Sequence, residues 1–261
     1  MLSFVINLDS SVGRMKQIST QLNQLNIPFE RISAVDGRKL SDSQIEKLSY
    51  SVKDRDIRIR FTRDLTVGEL GCFLSHKLCW TKLIDSTEEW ALIMEDDIQI
   101  SSLATLYMQT DEWIPDNVKI CQLSCLEKSQ YGKIGDEIKK VDNNFKLVNP
   151  IYPTPLGCQA YFISREFASE AIRLSEKFPA PVDDFLFSPW FDLSWKFKIW
   201  RISPVLVIPS AQIGSDIGSR SKKHVNKAPF FLRHGLKRFL FDMKIKKFQR
   251  AGEDFTFQFF E

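Results

Sequence analysis

Residues 2–37 read LSFVINLDSSVGRMKQISTQLNQLNIPFERISAVDG. Leu2 to Leu8 is an apolar run rich in β-formers, which predicts a buried strand. Asp9, Ser10 and Ser11 follow with side chains suited to capping a helix. From Arg14 to Leu25 the apolar residues are Met15, Ile18, Leu22 and Leu25, and spacings of three and four predict an amphipathic helix. Phe29 to Ala34 is a second strand, ending in Val35-Asp36-Gly37. Strand, helix and strand within this span make a βαβ unit, the start of a parallel sheet with a ligand crevice at its carboxyl edge.

The alternation continues outward. Helices are predicted over 41–50, 66–83, 101–113 and 165–176. Strands are predicted over 90–94, 118–123 and 160–164, with a last one inside 200–209. In the long helix, Leu70, Phe73, Leu74, Leu78 and Leu83 form the expected core stripe. Residues 54–64 alternate charges and are expected to be exposed. Residues 127–149 are polar and turn-rich, which predicts a mobile loop with a hairpin. The class is α/β, with a mostly parallel central sheet.

The tail differs in kind. Between Arg220 and Arg250 there are eleven Lys or Arg residues and one acid, Asp242. Removing these from the chain's 36 basic and 33 acidic residues leaves 25 basic against 32 acidic. The division expected is a domain over 1–219 and a basic, Phe-rich helical extension over 220–261.

Composition excludes several classes. No run approaches the roughly 18 apolar residues of a membrane span. The first residues lack the basic start and apolar stretch of a signal peptide. The expected location is cytoplasmic, or peripheral on the inner face of the cytoplasmic membrane. A net charge of +3 and an acidic core argue against a nucleic-acid partner. The five cysteines form no CxxC pair and there are three histidines, so free buried thiols are expected and a His/Cys zinc site is not.

Three clusters carry chemistry. Glu95-Asp96-Asp97 follows the apolar run Ala-Leu-Ile-Met. Adjacent carboxylates repel, and a divalent cation relieves that repulsion. Oxygen ligands suit Mg²⁺ or Mn²⁺. A solvated turn of capping acids is the other reading, and the position at a strand's carboxyl end favours the metal. The second cluster runs from Gly68 and Glu69 to Ser75 and His76, with glycines that permit close backbone approach. The third is Pro181-Val182-Asp183-Asp184-Phe185, where the acids suit either a helix N-terminus or a general base.

These motifs stand in an order that resembles glycosyltransferase family 25. The order runs Val-Ile-Asn-Leu-Asp-Ser-Ser-Val-Gly-Arg, Ala-Val-Asp-Gly, Leu-Thr-Val-Gly-Glu-Leu-Gly-Cys-Phe-Leu-Ser-His and Glu-Asp-Asp. Gly-Cys-Gln-Ala-Tyr-Phe-Ile-Ser and Pro-Val-Asp-Asp-Phe complete it. The resemblance spans roughly residues 2–215 and implies a GT-A-like, Rossmann-type fold. It implies an inverting transfer of a hexose, galactose from UDP-galactose as the family's choice, to a lipooligosaccharide or other glycan. Glucosyl or N-acetylhexosaminyl transfer, and a non-catalytic nucleotide-sugar-binding module, are the alternatives.

The resemblance also implies roles. Glu95 and Asp97 take Mn²⁺ or Mg²⁺, with Asp97 the direct ligand and Gln212, or Ser215, a further one. Leu8, Asp9, Arg14, Asp36, Gly68, Glu69, His76 and Asp96 contact the UDP-sugar. Asp183 or Asp184 is the general base. The acceptor is an oligosaccharide or lipid-linked glycan. Phe230, Phe231, Phe239, Leu240 and Phe241 interleave with Arg233, Lys237 and Arg238, a pattern suited to an anionic membrane surface. A C-terminal helix packed on the core, with a solvated basic face, is the other reading of that segment.

Overall fold

A computed structural model describes residues 1–51, 63–127, 129–152, 157–188, 191–210, 243, 246 and 252–259. The chain opens as β1 (Leu2–Asn7), α1 (Val12–Gln24), β2 (Glu30–Ser33), α2 (Asp42–Leu48), α3 (Val67–Asp85), β3 (Trp90–Glu95) and β4 (Ile98–Ile100). Next come α4 (Thr105–Met108), β5 (Ile120–Gln122), β6 (Ser129–Lys140), β7 (Lys146–Tyr152), β8 (Ala160–Ser164) and α5 (Arg165–Leu174). The last elements are α6 (Val182–Phe187), α7 (Asp192–Lys196), β9 (Trp200–Ser203), β10 (Val207–Pro209) and β11 (Glu253–Gln258).

Nine strands form one sheet in the order β11-β6-β7-β9-β5-β8-β3-β1-β2, and β4 pairs with β10 apart from it. The α/β class is the one the sequence predicts. The sheet itself is mixed. β1 pairs in parallel with β2 and β3, and β5 with β9, whereas β8, β6, β7 and β11 join antiparallel. The parallel expectation therefore holds for the βαβ start and not for the sheet as a whole.

β1 and β3 are buried on both faces, so their sequences are largely apolar rather than alternating, whereas β2 lies at the sheet edge with only Ile32 buried. Phe4, Ile6, Ala91 and Ile93 point to the face covered by α3, α5 and α6, where Phe73, Trp80, Phe178 and Phe185 pack. Val5, Leu92 and Met94 point to the other face, under Ile18 and Leu22 of α1 and beside Tyr107 and Phe162. α1 and α3 thus lie on opposite faces. The chain leaves β1 to one side for β2 and returns to the other side for β3. The carboxyl ends of β1 and β3 therefore flank the topological switch point where open α/β sheets bind ligands.

Local sequence fixes the helix that walls this point. Thr66 Oγ1 accepts from Glu69 N at 3.2 Å, and Glu69 Oε2 accepts from Thr66 N at 2.9 Å, which closes a capping box at the start of α3. The buried stripe of α3 runs Leu70, Phe73, His76, Trp80 and Leu83, and Leu78, expected in it, is exposed. A β-carbon on Gly71 would lie 2.5 Å from the Val35 carbonyl oxygen and 2.7 Å from Gly37 N. That glycine lets α3 press directly on the turn after β2.

Other expectations shift. The helix predicted over 101–113 shrinks to a turn at Ser102–Ala104 followed by α4. Residues 127–149 do contain a hairpin, β6 with β7, which extends the sheet rather than standing as a loop. Its polar composition reflects an antiparallel ribbon with one solvated face, on which Tyr131 and Ile138 are exposed. The end of the expected helical extension is a strand. β11 pairs antiparallel with β6, and its Phe257 is buried against Ile134 and Val148, with the guanidinium of Arg201 4.7 Å from its ring centroid. Apolar alternation at Phe255 and Phe257 suits a strand better than a helix. Gln212, Ser215 and the basic residues cited from Arg220 to Phe241 lie outside the described residues, as do residues 54–62.

Candidate active site

A cavity of about 280 Å³ opens at the switch point. Leu8 comes from the β1–α1 turn, Arg14 from the first turn of α1, and Asp36 and Arg38 from the turn after β2. Gly68, Cys72 and His76 come from α3, and Glu95, Asp96 and Asp97 from the end of β3. Eight of the sixteen lining residues are ones the sequence predicts, and the fold brings them together across a span of about 90 residues.

The three acids face different partners. Asp96 Oδ2 accepts from Asn7 Nδ2 at 2.6 Å, and Asp96 Oδ1 lies 3.4 Å from Arg14 Nη1. Burial nevertheless raises its pKa, outweighing those two donors. Asp97 has weaker support, with Arg14 Nη1 at 4.0 Å. Burial, then repulsion from Glu95 and Asp96, raises its pKa to about 7. A carboxylate so costly to ionise, beside two others and open to the cavity, fits a hard divalent cation.

Glu95 turns the other way. Its Oε1 lies 3.0 Å from Cys158 Sγ, 3.4 Å from His76 Nε2 and 3.9 Å from Cys72 Sγ. Burial opposes its charge, but hydrogen bonds from His76, Cys158 and Cys72 outweigh that and lower its pKa. Burial opposes the charge of His76 as well, and hydrogen bonds with Cys72 and Glu95 raise its pKa to about 9. His76 Nδ1 lies 2.8 Å from the Tyr161 hydroxyl, which also accepts from Trp80 Nε1 at 3.0 Å. Among the described residues, these four ligand-type side chains converge and the acidic triplet does not, because alternation along β3 sends Glu95 toward α3.

Several predicted contacts have other partners. Asp9 is exposed, with Arg31 Nη2 at 2.6 Å and Ser33 Oγ at 2.9 Å, and it does not line the cavity. Its pKa is lowered by the hydrogen bond from Arg31. Asp36 lines the cavity, but Arg38 holds both its oxygens, at 2.8 and 2.9 Å, and lowers its pKa. Glu69 is buried away from the cavity, closing the capping box and taking Arg63 at 2.7 and 2.5 Å. Burial opposes its charge, and Arg63 and Thr66 outweigh it to lower the pKa. The sequence shows an acid beside glycines but not that it sits three residues after a capping threonine for that reason.

Asp183 and Asp184 stand in the first turn of α6, half-buried and outside the lining of this cavity. Asp183 Oδ2 accepts from Gly157 N at 3.2 Å, and Asp183 Oδ1 from Asp184 N at 2.9 Å. The Gly157–Cys158 segment thus connects the α6 acids to Glu95. Gly157 has φ 108°, which a side chain would oppose.

Nearly the whole site falls inside one sequence match. Residues 1–186 fit the model for glycosyltransferase family 25, described as an LPS biosynthesis protein. The chain belongs to glycosyltransferase family 25. This family 25 chain is 34% identical over 237 residues to a glycosyltransferase 25 family member of Aedes aegypti, covering 82% of the chain and 36% of that protein. It is 29% identical over 168 residues to the lipooligosaccharide biosynthesis protein lic2B of Haemophilus influenzae, covering 63% and 60%. Procollagen galactosyltransferase 2 of Homo sapiens is 28% identical over 228 residues, covering 81% and 35%. The chain thus spans between about a third and three fifths of these relatives' lengths. A crystal structure of a glycosyltransferase involved in the glycosylation of the major capsid of PBCV-1 aligns over 82% of this chain and 95% of its own, at TM-score 0.40 and 8% identity.

Proposed function

We propose that this family 25 chain is an inverting glycosyltransferase that moves a hexose, galactose first among the choices, from a UDP-sugar to a glycan acceptor. The observation that carries the reading is the carboxyl-edge cavity, where Arg14 faces Asp96 and Asp97 across the switch point. The names of the relatives support the sugar chemistry, since they include lipooligosaccharide biosynthesis proteins and procollagen galactosyltransferases.

Asp97, helped by Asp96, is the proposed holder of Mn²⁺ or Mg²⁺. When bound, the ion neutralises charge on the departing UDP as a Lewis acid. Arg14 limits the repulsion between the two aspartates and is placed to meet a phosphate oxygen. The first turn of α3, at Val67 and Gly68, turns its positive end toward the same cavity. Asp36, fixed by Arg38, presents a rigid carboxylate for the ribose or base.

In the transfer, the acceptor oxygen attacks the anomeric carbon and the bond to the diphosphate oxygen breaks. The acceptor proton passes to Asp183 or Asp184, and UDP leaves. Isothermal titration with UDP in the presence and absence of Mn²⁺ tests the donor site. Metal-dependent binding is expected in the native chain and lost in Asp97→Asn. Equal affinity in both chains would remove Asp97 from the site.

A further inference from the structure

Three side chains lining the cavity, Cys72, His76 and Glu95, meet buried Cys158 in a cluster that the transfer as proposed does not use. Cys72 and His76 lie four apart on α3 and so share one helix face. Glu95 ends β3, and Cys158 stands two residues before β8. One ligand atom from each lies within 4.8 Å of every other. We propose that Cys72, His76, Glu95 and Cys158 bind Zn²⁺ as a four-coordinate site, separate from the cation position at Asp97.

The donor set decides the metal. Two thiols and an imidazole are soft or borderline ligands that favour zinc, whereas Mg²⁺ and Mn²⁺ prefer oxygen. A single carboxylate completes the count without leaving an open position, which marks a structural rather than a catalytic zinc. Zinc bond lengths of about 2.0–2.3 Å in a tetrahedron put ligand atoms roughly 3.3–3.8 Å apart. The separations from Glu95 Oε1 are 3.0 Å to Cys158, 3.4 Å to His76 and 3.9 Å to Cys72, so small rotations suffice.

The surroundings suit a zinc ligand. His76 is fully buried, and its Nε2 faces the cluster while Nδ1 meets the Tyr161 hydroxyl. A second hydrogen bond of that kind orients a metal-bound imidazole and fixes its tautomer. Cys72, His76 and Glu95 also line the cavity, which gives the ion an entry path. The bound ion would tie α3, the end of β3 and the segment before β8 into one wall, so it would stiffen the cavity rather than take part in bond exchange.

The test uses the full-length chain prepared under reducing conditions. Metal analysis after gel filtration should find about one zinc per chain. Replacement by Co²⁺ should give intense visible bands of tetrahedral cobalt with thiolate-to-metal charge transfer. Cys72→Ser and Cys158→Ser should each lose both signals, and Glu95→Gln should weaken zinc retention in a chain that keeps its circular dichroism. Asp97→Asn should retain full zinc while losing metal-dependent UDP binding, so failure of this site and failure of the transferase reading are separable. A native chain that retains no zinc after incubation with excess Zn²⁺, or whose cobalt form lacks charge-transfer bands, overturns the proposal.

Discussion

Replacing Asp97 by Asn should make the metal-free chain more stable at pH 8 while ending the proposed transfer. Burial and two neighbouring carboxylates raise the Asp97 pKa from 3.8 to about 7. At about 1.36 kcal/mol per pH unit, ionised Asp97 destabilises the fold by at most roughly 4 kcal/mol. Relaxation and water entry leave an expected gain of about 1–4 kcal/mol in the variant. The sign follows from proton binding. Between pH 4 and pH 7 the folded chain keeps a proton that the unfolded chain has lost. The native chain's stability relative to the variant therefore falls across that window and is flat above it. Urea unfolding of both chains at pH 4, 6 and 8, without added divalent cation, reads this directly. The stability difference should grow from near zero to its full value, and Mn²⁺ should then stabilise only the native chain. A variant no more stable at pH 8 than the native chain would refute the view that this carboxylate is held at a cost for a cation.

Three other outcomes follow from the same geometry and a fourth from the basic sequence of 220–250. Metal-dependent UDP binding by the native chain should weaken below about pH 7, as a proton and the cation compete for Asp97, which pH-resolved titration would detect. Gly71→Ala should cost about 2–3 kcal/mol in urea unfolding, because the new β-carbon meets the Val35 carbonyl oxygen at 2.5 Å. Either Asp183→Asn or Asp184→Asn should lower kcat by about 10²–10⁴ with UDP affinity kept, and the variant that does so names the base. Exchanging the Lys and Arg residues of 220–250 for Gln should reduce sedimentation with anionic vesicles. Exchange is cleaner than truncation after Ser219, which would also remove β11 from the sheet edge.

The βαβ start was readable because β1 is buried on both faces and α1 carries a regular apolar stripe. The acidic triplet could be placed at the carboxyl edge because it ends a buried strand, and the family resemblance added Arg14, Asp36 and His76 to the same site. Antiparallel partners were not readable, since β8 has the same apolar run as a parallel strand would. The partners of charged side chains were also hidden. Nothing in the order of residues tells that Arg31 reaches Asp9, that Arg38 holds both oxygens of Asp36, or that Arg63 takes Glu69. The thiol–imidazole cluster had one local sign, Cys72 and His76 at helical spacing. Its other half comes from Glu95 and Cys158, which only the pairing of β3 with β8 brings near. His76 also stands in the α3 core stripe at a position where periodicity calls for an apolar residue, and that mismatch was the signal that could have found it.

On the proposed function, the cavity between β1 and β3 binds a UDP-sugar with a cation at Asp97 and releases UDP on transfer. UDP release measured across UDP-galactose, UDP-glucose and UDP-N-acetylhexosamines, with and without Mn²⁺ and with glycan acceptors, tests it most directly. The expected result is Mn²⁺-dependent release, greatest with UDP-galactose and absent in Asp97→Asn. No release from any donor under any of these conditions would contradict it.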